Sequence, residues 1–196
     1  MRNLLPLLIA CVLAACTTIA KVEGDQVVNG KLAVHVPAAW NRVQDPWGGE
    51  PYDTWTQEGM PLDHLRLWAG VQPGQALMKR PTVFFRGPGE KDRRVPTFQP
   101  GMPAEKLVSL FEELYATAGT VKLTRLAPAT FAGQQGMRFE FTLARRADDL
   151  VLKGVGWVAE KDRALYAATF LAPRLGFYDR LLPMAEEVVK TARIAS

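Results

Sequence analysis

The sequence predicts an α+β fold, an antiparallel sheet of about six or seven strands covered by helices in an α/β/α sandwich. Three observations carry that expectation. Met137, Phe139, Phe141 and Leu143 alternate with Arg138, Glu140 and Thr142, the period of a half-buried strand. Four strand-like runs follow one another with short turn-forming links, which makes an antiparallel meander. An amphipathic stretch stands on each side of that meander, so each face of the sheet has a helix to cover it.

The elements follow in chain order. Residues 17–30 read as a short polar tether. Lys31 to Val36 places Leu32, Val34 and Val36 on one face of a strand, which Pro37 is expected to stop. Residues 38–52 read as a loop holding Trp40, Trp47 and Tyr52. Asp53–Gln57 and Leu62–Ala69 read as strands joined by Glu58-Gly59-Met60-Pro61, a turn sequence. Residues 70–103 are rich in Pro, Gly and charge, a long excursion of the kind that carries function. Pro103 to Ala118 reads as a helix, with Leu107, Leu110, Phe111 and Leu114 on its apolar stripe and Gly119 closing it. Strands are expected at Thr120–Leu126, Gly136–Ala144, Leu150–Glu160 and Ala164–Leu171, linked by Ala132-Gly133-Gln134-Gln135, Ala147-Asp148-Asp149 and Glu160-Lys161-Asp162-Arg163. Phe177, Leu181, Ala185, Val188 and Ala192 mark a C-terminal helix whose regular part is expected at Pro183–Ala192.

The first residues describe export. Met1-Arg2-Asn3 is a short positive segment, Leu4 to Leu13 is apolar but too short to span a bilayer, and Ala14-Ala15 is small. Leu13-Ala14-Ala15-Cys16 resembles the bacterial lipobox. That resemblance implies removal of residues 1–15 and acylation of Cys16, which becomes the first residue of the mature chain and its membrane anchor. Thr17 at the next position, where Asp would imply retention in the inner membrane, implies delivery to the outer membrane, facing the periplasm. Two or three acyl chains, at about 0.8 kcal/mol per buried CH₂, hold such a protein permanently. The division expected is therefore signal peptide 1–15, lipidated tether 16–30 and one globular domain 31–196.

Composition narrows the chemistry. Apolar residues make up 48% of the chain, as in a globular protein, and the net charge of +4 is no nucleic-acid signature. Cys11 leaves with the signal and Cys16 is consumed by lipid, so no thiol remains for a disulfide, a metal or catalysis. Past the signal, the serines are Ser109, inside the expected helix, and the terminal Ser196, and neither suits a nucleophile elbow. His35 and His64 are the only histidines, too few for an ordinary metal site. Asp63-His64 would point to opposite faces of a strand. The pairs Asp148-Asp149, Glu112-Glu113 and Glu186-Glu187 lack the separation a glycosidase needs. No cofactor, metal or catalytic residue is assigned.

The remaining surface candidates are aromatic and basic. Trp47, beside Gly48-Gly49, and Tyr52 are the aromatic ones; Arg86, Lys91, Arg93 and Arg94 are the basic ones, within a Gly- and Pro-containing run that lacks phosphate-loop spacing. They would suit an envelope protein or an anionic lipid.

The order helix, long meander, Leu165-Tyr166-Ala167-Ala168-Thr169-Phe170, then a closing helix ending in Val188-Val189-Lys190-Thr191-Ala192-Arg193, resembles the PsbP-like α/β/α sandwich over residues 31–194. Members of that class mostly bind or assemble other proteins. The resemblance implies a fold and carries over no site residue. The expectation is a non-enzymatic binding or assembly module of the envelope. The alternative is a small-ligand binder or a carboxylate-dependent hydrolase using residues in the 40–100 region.

Overall fold

The computed structural model describes residues 19–44, 48–60, 62–79 and 95–195. Its elements are β1 (Ile19–Val28), β2 (Leu32–Val43), β3 (Tyr52–Thr56), β4 (His64–Val71), α1 (Ala104–Ala116), β5 (Gly119–Phe131), β6 (Gln134–Arg145), β7 (Val151–Lys161), β8 (Ala164–Pro173), α2 (Tyr178–Lys190) and β9 (Arg193–Ile194). The strands form one sheet in the order β1-β2-β3-β4-β8-β7-β6-β5, with the short β9 added to β2. Every pairing is antiparallel. Helix α1 carries the chain from the middle of the sheet to its far edge, and the second meander then returns to place β8 against β4.

The sheet has nine strands rather than six or seven, and the added ones lie at its ends. Residues 19–28, expected as tether, form β1, in which Ala20, Val22, Gly24, Gln26 and Val28 are the inward set. Gly and Gln dilute that alternation below what hydropathy reveals. The turn that closes it was visible: Asn29-Gly30 takes positive φ at both residues, the two-residue hairpin turn, and Lys31 N–H donates to Val28 O at 3.0 Å.

Strand β2 runs through Pro37 to Val43 instead of stopping there. Its ladder to β1 shifts register between Val22 and Gly24, opposite residues 37–39, so the proline sits where no ladder bond is required. The hairpin bends there, and its far half closes on the end of α2. His35 N–H donates to Thr191 Oγ1 at 2.8 Å, Leu32 pairs with Ile194, and Asn29 Nδ2 reaches Ala69 O at 3.3 Å.

Other boundaries moved for local reasons. Gly119 opens β5 rather than capping α1, which ends at Ala116. β5 continues through Pro128, which an edge strand tolerates. α2 begins at Tyr178, five residues before its expected regular part, with Pro183 in its second turn. That proline lacks the N–H that would bond the Asp179 carbonyl.

Each face of the sheet has its own core. α2 covers one, setting its Tyr178 and Val188 over Trp40, Trp55, Val155 and Phe170. α1 covers the other, setting its Phe111 and Tyr115 over Trp68, Phe139, Phe141 and Leu165. β8 lies between the two and is buried along its whole length.

Two glycines determine how closely the second core packs. Gly154 pairs with Phe141 and Gly156 with Phe139 across the β6–β7 ladder. Each ring lies directly over its glycine: a Cβ built on Gly154 would stand 2.4 Å from Phe141 Cζ, and one on Gly156 2.2 Å from Phe139 Cζ. The rings cannot swing away, because Phe111 packs on Phe139 at 5.6 Å and Tyr115 on Phe141 at 5.0 Å. Gly156→Ala is therefore expected to lower unfolding free energy by about 1–3 kcal/mol through overpacking. Urea titration of the purified domain measures it, and Gly133→Ala, at a turn with open space, serves as the comparison for a strained glycine without a clash.

Candidate functional site

The end of β2 and the start of β3 form a corner, and a cleft of about 630 Å³ opens there. Arg42, Gly48, Glu50, Tyr52, Asp53 and Met60 line it. The ladder explains the placement. Arg42 pairs with Trp55, which puts Asp53 diagonally beside it, and Arg42 Nη2 meets the Asp53 carboxylate at 2.9 Å. Glu50 accepts the Lys79 backbone N–H at 2.9 Å, and Lys79 Nζ donates to Gly48 O at 2.6 Å. The segment after β4 is thereby tied to the segment before β3. Both carboxylates of the cleft have partners, and the charges present are of both signs.

Tyr52 forms the inner wall. Its ring lies 4.9 Å from that of Trp68, with the Arg66 guanidinium 4.6 Å from its centroid on the ladder partner strand. Burial, opposed in part by Arg66, pushes its phenol well above the ordinary tyrosine range, and the hydroxyl is shared with Glu50. Such a phenol holds its proton; it positions and packs.

Behind Tyr52 lies a buried polar cluster. Arg66 pairs with Thr169 across β4 and β8, and Tyr115 at the end of α1 shares a 2.6 Å hydrogen bond with Thr169 Oγ1. Tyr115 also bonds Arg66. His64, two residues before Arg66 on the same face, is buried, and its Nε2 has no hydrogen-bond partner, nor does Arg66 Nε. Burial first, then Arg66 and Arg145, drives the His64 pKa well below its ordinary value, so the imidazole is neutral at neutral pH.

Asp63 points the other way. It accepts from Thr56 Oγ1 at 2.9 Å and from the backbone N–H groups of Gln57 and Glu58, each at 2.8 Å. It organises the β3–β4 turn and makes no contact with the His64 ring, so the pair forms no dyad. Ser109 donates to Glu105 O within α1. His35 lies exposed beside Asp25 at 2.7 Å. Among the described residues no cluster of His, Cys, Asp and Glu could hold a metal ion.

Of the candidates read from sequence, Tyr52 lies in this cleft, packed and half-buried rather than displayed. Cys16, Trp47, Arg86, Lys91, Arg93 and Arg94 lie outside the described residues, as does the apolar run Val83-Phe84-Phe85. Trp40, Trp55 and Trp68 are fully buried, so these three build core. Sequence reasoning missed Arg42, Glu50, Asp53 and Met60. A strand that ends at Pro37 leaves Arg42 in a loop, with nothing to set it opposite β3.

The His64 geometry sets a pH dependence. Above its ordinary value of 6.5 the group is neutral in both folded and unfolded chains and contributes no slope. Below it the unfolded chain takes up a proton that the folded chain refuses. Stability then falls by up to about 1.4 kcal/mol per pH unit until the folded pKa is reached. His64→Leu is expected to remove that component while leaving stability at pH 7.5 unchanged or higher. Denaturant titrations of both proteins from about pH 7.5 to 5 test it; equal slopes for the two would refute the assignment.

No protein-family model and no curated protein matches this sequence. Solved structures do match. One is the solution structure of cyanobacterial PsbP (CyanoP) from Synechocystis sp. PCC 6803, at TM-score 0.54 and 10% identity, covering 96% of this chain and 99% of that one. Another is a crystal structure from Bacteroides thetaiotaomicron VPI-5482, at TM-score 0.52 and 10% identity, covering 89% of this chain; the chain spans half the length of that protein. At such identity the likeness speaks of fold alone, and with the topology above it establishes that this chain has the PsbP-like α+β architecture, an antiparallel sheet between two helical layers.

Proposed function

We propose that this protein is a lipid-anchored component of the bacterial cell envelope, in the outer membrane facing the periplasm, that works as a non-enzymatic binding or assembly module. One observation carries the non-enzymatic part: the polar groups of the cleft are bound to one another. Arg42 holds Asp53, Glu50 holds the Lys79 N–H and the Tyr52 hydroxyl, and the Tyr52 phenol retains its proton. Each carboxylate here serves as an acceptor that ties two segments of the chain together, which favours recognition over general-base work. These groups instead make a preformed, rigidly charged recess, which suits recognition.

The lipobox-like Leu13-Ala14-Ala15-Cys16 supports the anchor, and Thr17 supports the outer membrane. The size of the cleft favours one second reading, a small-ligand binder, since about 630 Å³ lies within the 300–1,000 Å³ range of ligand pockets. A hydrolase reading would use Glu50 and Asp53, carboxylates already engaged by the Lys79 N–H and by Arg42.

Two measurements test the proposal. Intact mass and N-terminal analysis of the membrane-extracted protein should show acylated Cys16 as the first residue, and Cys16→Ala should release the protein from membranes. A mature form without lipid mass would sink the anchor. For the cleft, a photocrosslinking amino acid at Thr54 should capture a partner in intact cells, whereas one at Glu187 on the outer side of α2 should not. Equal capture at both positions would remove the cleft as the binding surface.

A further inference from the structure

The first strand starts close behind the anchor. Only Thr17 and Thr18 separate Cys16 from Ile19, where β1 begins. Three residue steps reach at most about 10 Å, even fully extended. Ile19 is thus confined to the membrane surface that holds the acyl chains of Cys16. A tether running to residue 30 would have let Ile19 stand several times farther from the membrane.

The ladder carries that confinement into the cleft. Ile19 pairs with Val43, and Val43 pairs with Thr54. Adjacent strands lie about 4.8 Å apart, so Thr54 stands about 10 Å from Ile19. Val43 and Thr54 both line the cleft. Around it, Ile19 is 59% exposed and Met60 44% exposed, large apolar side chains that nothing in the described fold covers. The cleft lining also carries charges of both signs, the Arg42 guanidinium with the carboxylates of Asp53 and Glu50, which matches headgroups that carry phosphate and ammonium together.

We infer that the β2–β3 corner rests against the headgroup layer of the membrane that anchors Cys16, with Ile19 and Met60 at the interface and the cleft open to the lipid headgroups. This rests on the lipid-anchor reading above. The opposite edge, β5, lies five strands beyond β3 in the sheet order and faces the periplasm with Lys122 and Arg125 exposed.

The mature chain offers a clean probe, because its one native thiol is a thioether once Cys16 is acylated. Full-length lipidated protein is reconstituted into vesicles of phosphatidylethanolamine and phosphatidylglycerol, after its lipid mass has been verified. A fluorophore on Met60→Cys is compared with one on Lys122→Cys, using lipids that carry a nitroxide on the headgroup as quencher. Thr54→Cys reports on the same cleft if Met60→Cys does not fold. The label at position 60 or 54 is expected to be quenched several-fold more strongly than the label at 122. Equal quenching in protein that carries its lipid would overturn the orientation and leave the anchor standing. Absence of the lipid mass would overturn both.

Discussion

The packing of this protein depends on two phenylalanine rings lying flat on two glycines. Phe139 over Gly156 and Phe141 over Gly154 remove a layer of side chains between β7 and α1. The helix can then set Phe111 and Tyr115 directly on those rings. From Phe111 the aromatic contact passes to Trp68 at 5.1 Å, and from Trp68 to Tyr52 at 4.9 Å. The inner wall of the cleft is the last member of this chain of rings. A change in the β7 glycines would move more than the core, because close-packed interiors transmit displacement rather than absorb it.

The other face is closed by a different device. Beyond the register shift at Val22–Gly24, the β1–β2 hairpin turns away from β3 and meets the end of α2. The bend buries Val28, Leu32, Val34 and Val36 without requiring further strands. It also leaves the start of β1 beside the corner of β2 and β3. Core closure and the placement of the chain's N-terminal side are thus consequences of one irregularity in a ladder.

The buried polar groups are arranged for structure and recognition more than for reaction. Asp63 fixes a turn by accepting three hydrogen bonds, and Tyr115 joins α1 to β8 through Thr169. Arg66 works on two sides, bonding Tyr115 within the core and lying over the Tyr52 ring toward the cleft. Its neighbour His64 stays neutral because burial disfavours a charge there, and the guanidinium groups of Arg66 and Arg145 add to that. An unpartnered imidazole nitrogen is a cost that the surrounding packing offsets.

The amino-acid sequence determined what depends on local pattern. Strict alternation in β6, turn chemistry at Ala132-Gly133 and Asp162-Arg163, and the apolar stripes of both helices were enough to specify an antiparallel meander between two helical layers. The sequence also held the Asn29-Gly30 hairpin signal, but the weak inward set of β1 obscured the strand before it. What only the tertiary structure decided was which residues meet across strands. Pro37 ends a strand in isolation, yet here it sits opposite a bulge where its missing N–H costs nothing. The continuation of β2 past that proline is what brings Arg42 to Asp53 and forms the cleft. Such pairings depend on register between segments far apart in sequence, and hydropathy along one segment carries no information about its partner's register.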